Sequence, residues 1–173
     1  LKNKLKPEIF DKIKYVVIQS GTSLEKNTNT GVYNSLRLKQ MINIVKKYNK
    51  LSKEHNGDYL PISLIKEKFN LGLDSINIAP EFGQIETKVY LNKIKKEKPK
   101  LLNLLYRICY DSNKWKKWVN KDFNPLIQKE KLINICGHYN FSNLNFKKIK
   151  NEFPNIDIDI KNEIKIKLNK LHE

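Results

Sequence analysis

Residues 51–86 read LSKEHNGDYLPISLIKEKFNLGLDSINIAPEFGQIE, and the fold is decided here. Residues 51–56 form a short extended run that ends in the polar cluster Lys53, Glu54, His55, Asn56 and Asp58. Pro61 stands where a helix would begin, because its missing N–H and fixed φ cost nothing in a first turn. Ile62, Ile65 and Phe69 then recur at helical spacing, and Gly72 closes the segment. A further strand is expected over residues 75–79, running into Pro80-Glu81-Phe82-Gly83. Side chains capable of chemistry crowd after each strand and are sparse before it. In parallel α/β sheets that carboxyl edge is where ligands bind.

Upstream, Tyr15-Val16-Val17-Ile18-Gln19 is an apolar run of strand length, stopped by Ser20-Gly21-Thr22-Ser23. Such near-continuous apolar strands suit a parallel sheet covered by helices. Residues 27–31 read as a loop, and residues 36–48 as a helix with Leu36, Met41, Ile42, Ile44 and Val45 in its apolar stripe. Downstream, helices are expected over 84–98 and 101–110, with Trp115 and Trp118 on a short satellite helix. Residues 131–136, KLINIC, are a fourth strand candidate ending at Gly137-His138-Tyr139. A helix over 144–153 and an ambiguous isoleucine-rich segment over 156–171 complete the chain.

Strands alternating with helices argue for βαβ units. The expected fold is α/β, the C-terminal portion of a TIM (β/α)8 barrel with parallel strands and outer helices. Four β/α units would occupy residues 1–142 and a helical tail 143–173. A small flavodoxin-like sheet is the competing fold. The chain starts with Leu and enters a strand almost at once, which suggests a fragment of a longer protein.

The net charge is +16, yet of 34 basic residues only Arg37 and Arg107 are arginine. Readers of nucleic acid lean on arginine for bidentate and stacked contacts. The lysines instead read as a solvated surface, which makes nucleic acid an unlikely partner; a basic nucleic-acid-binding protein is kept as a remote alternative. No run approaches the eighteen or so apolar residues of a membrane span. Two cysteines, Cys109 and Cys136, do not make a disulfide scaffold, so a reducing, cytoplasmic setting is expected.

By alternation, Asn77, Ala79 and Glu81 share one face of the third strand, and Asn134, Cys136 and His138 one face of the fourth. Leu51, Lys53 and His55 share a face of the second. His55 and His138, with Glu81 and Asp58, could form a mixed N/O site for a divalent metal, zinc or manganese. Glu81 and Asp58 are then the candidate proton-transfer groups. Gln19, Ser20, Thr22, Asn56 and Asn77 are the candidates for holding a sugar's hydroxyls or phosphate. Each has a plainer alternative: a hydrogen-bonded surface histidine, an ordinary polar turn at residues 20–23, a packing role for Cys136. Lys53 reads either as a Schiff-base nucleophile or as one solvated lysine among many.

Four segments carry a resemblance in conserved order: YVVIQSGTSL (15–24), KEHNGDY (53–59), INIAPEFG (76–83), and RICYDSNKWKKWV with HYNFSN (107–119 and 138–143). Together they resemble the accessory, non-catalytic subunit of class II tagatose-bisphosphate aldolase. That family has a VVVQPG-like strand, an EAHSTDY-like strand end, a KVGP-like strand and a late YSYSD segment. His55, Asp58 and Tyr59 match its HxxDY positions. Lys53 stands where the family tends to have glutamate, Asn56-Gly57 replaces Ser-Thr, and Ala79-Pro80 replaces Gly-Pro. The resemblance implies a TIM barrel, a phosphorylated sugar and support of a separate catalytic aldolase subunit. Metal-dependent ketose epimerases or aldolases acting themselves are the alternative it leaves open.

Overall fold

The computed structural model describes residues 4–25 and 28–172. The chain divides into two compact units, Leu1–Ile78 and Ala79–Glu173.

In the first unit, α1 (Pro7–Lys12) leads into β1 (Tyr15–Ile18), followed by the short antiparallel pair β2 (Leu24–Glu25) and β3 (Thr28–Asn29). Then come α2 (Ser35–Lys46), β4 (Leu51–Glu54), α3 (Ile62–Asn70) and β5 (Ser75–Ile76). β1, β4 and β5 form a parallel sheet in chain order. The expected loop over 27–31 therefore contains a strand, and Lys26 and Asn27 lie outside the described residues.

Asn34 starts α2, its side-chain oxygen accepting from the Arg37 N–H at 2.8 Å. Leu38, Ile42 and Val45 follow at four- and three-residue steps and pack with Ile18 and Leu73 to form the core of this unit. α3 begins directly after Pro61, as its fixed φ favours, and Gly72 closes the turn at φ +97°. Its buried face is Ile65 and Lys68, whereas Phe69 is 42% exposed. Of the expected stripe Ile65 is buried and Ile62 half-buried, and Lys68 takes the buried place expected of Phe69.

The second unit has helices and no strand among its described residues: α4 (Pro80–Glu97), α5 (Leu102–Asp111), α6 (Lys129–Cys136), α7 (Leu144–Asn151) and α8 (Ile156–His172). Single 3-10 turns occupy Pro99–Leu101, Lys116–Trp118 and Gly137–Asn140. Its core gathers Tyr90, Ile94, Leu105, Leu132, Phe146 and Ile149, among others.

Three expectations are corrected here. The segment 131–136 is a helix, not a fourth strand. A strand would bury Ile133 and Ile135 together and turn Leu132 and Cys136 away. The fully buried residues are Leu132, Ile133 and Cys136, which share a helix face. Among the described residues the parallel sheet therefore has three strands, so the four β/α units reduce to three. Second, β5 stops at Ile76, and Pro80 and Glu81 form the first turn of α4, so Glu81 is not on a strand face. Third, Trp115 is 8% exposed within the main core rather than a satellite, its indole N–H donating to the Tyr110 carbonyl at 3.0 Å. The ambiguous 156–171 segment is helical, because Ile156 and Ile160 are buried at four-residue spacing while Ile158 is exposed.

The result is an α/β chain, mostly helical, with a small parallel sheet and no closed barrel among its described residues. None of the described helices is long and apolar enough to cross a membrane.

Candidate functional site

The sheet has two chemically different faces. Val16, Ile18, Ser52, Glu54 and Ile76 point toward α2 and α3. Tyr15, Val17, Leu51, Lys53 and Ser75 occupy the other face. Ile18, Glu54 and Ile76 pair across the sheet, so the next position on each strand falls in one row: Gln19, His55 and Asn77. Backbone bonds extend the pairing to this edge. The Asn77 N–H donates to the Glu54 carbonyl at 2.9 Å, and the Gly57 N–H to the Asn77 carbonyl at 2.8 Å. Gln19 and His55 are exposed and Asn77 is half-buried.

Behind this row lies a buried ionic network. Glu54 and Lys68 are both 0% exposed, with Lys68 Nζ 2.7 Å from Glu54 Oε2. The Lys68 ammonium also donates to Ser20 Oγ at 2.7 Å. Ser20 in turn donates both its N–H (2.7 Å) and its hydroxyl (2.5 Å) to Glu54 Oε1. The ring of Tyr33 covers the ammonium at 4.2 Å from its centroid. Burial and a hydrogen bond to Glu67 push the Tyr33 phenol up to about 12. The network ties the ends of β1 and β4 to α3.

A second carboxylate works from the opposite end of β4. Asp74 accepts from the N–H and hydroxyl of Ser52 at 2.9 and 2.7 Å. Burial alone would raise its carboxyl, but the two Ser52 bonds and the Lys46 ammonium outweigh it and hold it below its ordinary value.

The residues expected to bind substrate have separate fates. Ser20 is spent on the network, and Thr22, buried, donates its hydroxyl to the His55 carbonyl at 2.8 Å. Asn56 has φ +59°, and its carbonyl and that of Asp58 accept from the Asn29 amide at 2.7 and 3.2 Å. Asp58 itself is buried. These groups shape the rim, whereas Gln19, His55 and Asn77 face outward from it.

Glu81 and His138 belong to the second unit. The Glu81 carboxylate is 2.6 Å from the Lys167 ammonium. His138 sits on the 3-10 turn after α6, packed against Gly83, with both ring nitrogens buried and without a hydrogen bond among the described residues. Burial, reinforced by Lys117, lowers its imidazole below the ordinary value. Among the described residues no three His, Cys, Asp or Glu side chains are grouped to hold a metal ion. Of the donors expected for zinc or manganese, His55 and Asp58 lie in the first unit and Glu81 and His138 in the second.

His138 carries a pH prediction. Its folded value lies below the unfolded value of about 6.5, so the unfolded chain takes up the proton first. Stability should be unaffected by this group above pH 6.5 and should fall as the pH drops from there toward the folded value. Urea unfolding of His138→Gln between pH 7.5 and 5 should show a flatter acid limb than the parent. Parallel limbs would mean His138 is not held neutral.

Glu54 and Lys68 were not singled out from the sequence. The signal available was a strand, LSKE, with no apolar residue on its helix-facing positions, and a lysine three residues after Ile65. Comparison with known proteins finds no family model that matches the chain and no match among curated proteins.

Proposed function

We propose that this chain is part of a (β/α) barrel that serves sugar-phosphate metabolism in the cytoplasm as a non-catalytic accessory subunit of an aldolase. The observation that carries the reading is the row Gln19–His55–Asn77 at the carboxyl edge of the parallel sheet. Three consecutive strands as neighbours, with both crossover helices on one face, support a barrel segment. The row offers hydrogen-bonding groups suited to hydroxyls, and His55 is the one side chain in it able to move a proton. The resemblance of segments 15–24, 53–59 and 76–83 to the tagatose-bisphosphate aldolase accessory subunit supports the same class and names the partner, a catalytic aldolase subunit.

The test is titration of the full-length protein with phosphorylated ketoses, alongside an aldol-cleavage assay without any partner. Binding without cleavage is expected, with His55→Ala and Asn77→Ala each weakening it about tenfold, the loss of one well-placed hydrogen bond. Cleavage by the purified chain alone would make it a catalyst, and failure to bind any phosphorylated ketose would remove the substrate class.

A further inference from the structure

The chain has two cysteines, and the fold brings them together. Cys109 lies near the end of α5, and Cys136 closes α6, 27 residues further on. Both are 0% exposed within the core of the second unit. The Cys136 sulfur is 3.7 Å from the Cys109 carbonyl oxygen, and the two thiols hydrogen-bond to each other. Among the described residues no third metal-ligating side chain is grouped with them. The chemistry open to such a pair is that between thiol and disulfide.

The two sulfurs are not equivalent. The bond from the Cys109 thiol, helped by Ser112 and the Lys114 ammonium, outweighs burial and holds the Cys136 thiol below its ordinary value. The same bond, with burial, pushes the Cys109 thiol up. Cys136 therefore ionises first, and Cys109 stands beside it as the resolving thiol. Residues 112–128, which join the two helices, contain no helix beyond the 3-10 turn at Lys116–Trp118. Ser112 begins that connection, its hydroxyl donating to the Cys109 carbonyl at 2.7 Å. A stretch with so little regular structure opens at lower cost than the helices it joins, and that opening admits a small oxidant.

We propose that Cys109 and Cys136 are an oxidative modification site, closing to a reversible disulfide between α5 and α6. The proposal goes beyond the accessory-subunit reading and does not depend on it. The oxidant is hydrogen peroxide. The Cys136 thiolate attacks one peroxide oxygen and breaks the O–O bond, leaving a sulfenic acid and a hydroxide that takes up the proton Cys136 lost. The Cys109 sulfur then attacks that of Cys136 to form the S–S bond, and the hydroxyl leaves with the Cys109 proton as a second water. Two thiols are oxidised, one peroxide is reduced, and a dithiol reductant reverses the bridge by exchange. Transient, sensing disulfides are the kind found in reducing compartments. By tying residues 27 apart, the bridge restricts the unfolded chain and raises the melting temperature.

The experiment takes the full-length protein, reduced and then exposed to hydrogen peroxide. It is unfolded in iodoacetamide and analysed by intact mass and peptide mapping. The expected product is a linked Cys109–Cys136 peptide pair lighter by two hydrogen atoms, with neither thiol alkylated and both recovered by dithiothreitol. The bridged form should melt higher than the reduced form. In Cys109→Ala, peroxide should leave Cys136 as a sulfenic acid that dimedone traps. The parent protein carries the test if that variant folds poorly. Both thiols still alkylated after peroxide, over-oxidation of either sulfur without a bridge, or a bridge found only between two chains would overturn the proposal.

Discussion

Lys68→Ala is expected to destabilise the first unit by about 3–5 kcal/mol, the cost of leaving one member of a buried ion pair without its partner. Glu54 is fully buried, and its remaining donors, the N–H and hydroxyl of Ser20, cannot neutralise a carboxylate. Glu54→Gln should be costly for the converse reason, since the buried Lys68 ammonium would keep only neutral partners, Ser20 Oγ, an amide oxygen and the face of Tyr33. The double variant Glu54→Gln, Lys68→Ala removes both charges and should cost much less than the sum of the two single changes, which a double-mutant cycle reads as a large coupling energy. Lys95 and Glu130 provide the comparison. Their ion pair has the same 2.7 Å length, but their side chains are 48% and 51% exposed. Lys95→Ala should cost 1 kcal/mol or less. Burial, not distance, decides between the two. Urea unfolding of the four variants checks the ranking, and a Lys68→Ala cost no larger than that of Lys95→Ala would show that water reaches Glu54.

The same network marks where reading the sequence succeeds and where it stops. β1 and the existence of α2 are legible because an apolar run between turn residues, and apolar residues at helical steps, are each buried on one face by a neighbouring layer. Leu36 and Ile44 of the expected α2 stripe are nonetheless exposed, and Leu38 is buried instead. The Gln19–His55–Asn77 row is legible for a related reason: alternation assigns the faces once the strands are known, and the polar stop residues mark the carboxyl edge. Glu54 and Lys68 are a different kind of residue. Each alone is a charged side chain that belongs in water. Only their meeting across the β4–α3 connection makes burial tolerable, and a pair 14 residues apart leaves no periodic trace. Lys68, the one basic side chain fully buried among the described residues, looks like the rest of the 34 in the sequence.

KLINIC fails for the opposite reason. Six residues with apolar side chains at 132, 133, 135 and 136 satisfy both a buried strand and one and a half turns of helix. Packing against α5 and α4 settles the matter in favour of α6, because a helix brings Leu132 and Cys136 to the same buried side. Losing that strand also removes the argument that set His138 beside His55, since it depended on alternation along a strand that does not form.

Gly21→Ala is expected to be strongly destabilising to the first unit. Gly21 has φ +112°, where a side chain is strained by about 1–3 kcal/mol. The added Cβ would also stand 1.8 Å from the Val32 carbonyl oxygen, a backbone atom that cannot rotate away. Forcing such a contact into packed structure costs about a further 1–3 kcal/mol. The chain has to approach this closely because residues 20–23 and 30–34 run side by side, joined by Thr30 N–H to the Ser23 carbonyl and Asn34 N–H to the Ser20 carbonyl, both at 2.8 Å. That pairing carries Asn29 to the carbonyls of Asn56 and Asp58, and Tyr33 over Lys68. Pushing Val32 away therefore disturbs the rim and uncovers the ammonium as well. Gly72→Ala separates strain from clash. Its φ of +97° is also unfavourable, but the nearest atom to the new Cβ is the mobile end of Lys46, at 3.2 Å. It should lose only the strain contribution. Thermal unfolding should rank Gly21→Ala well below Gly72→Ala, with the His55 and Asn77 amide resonances shifted in the first variant alone. Equal melting temperatures and an undisturbed rim would mean that the loop can move aside freely, and that it does not hold Asn29 and Tyr33 in place.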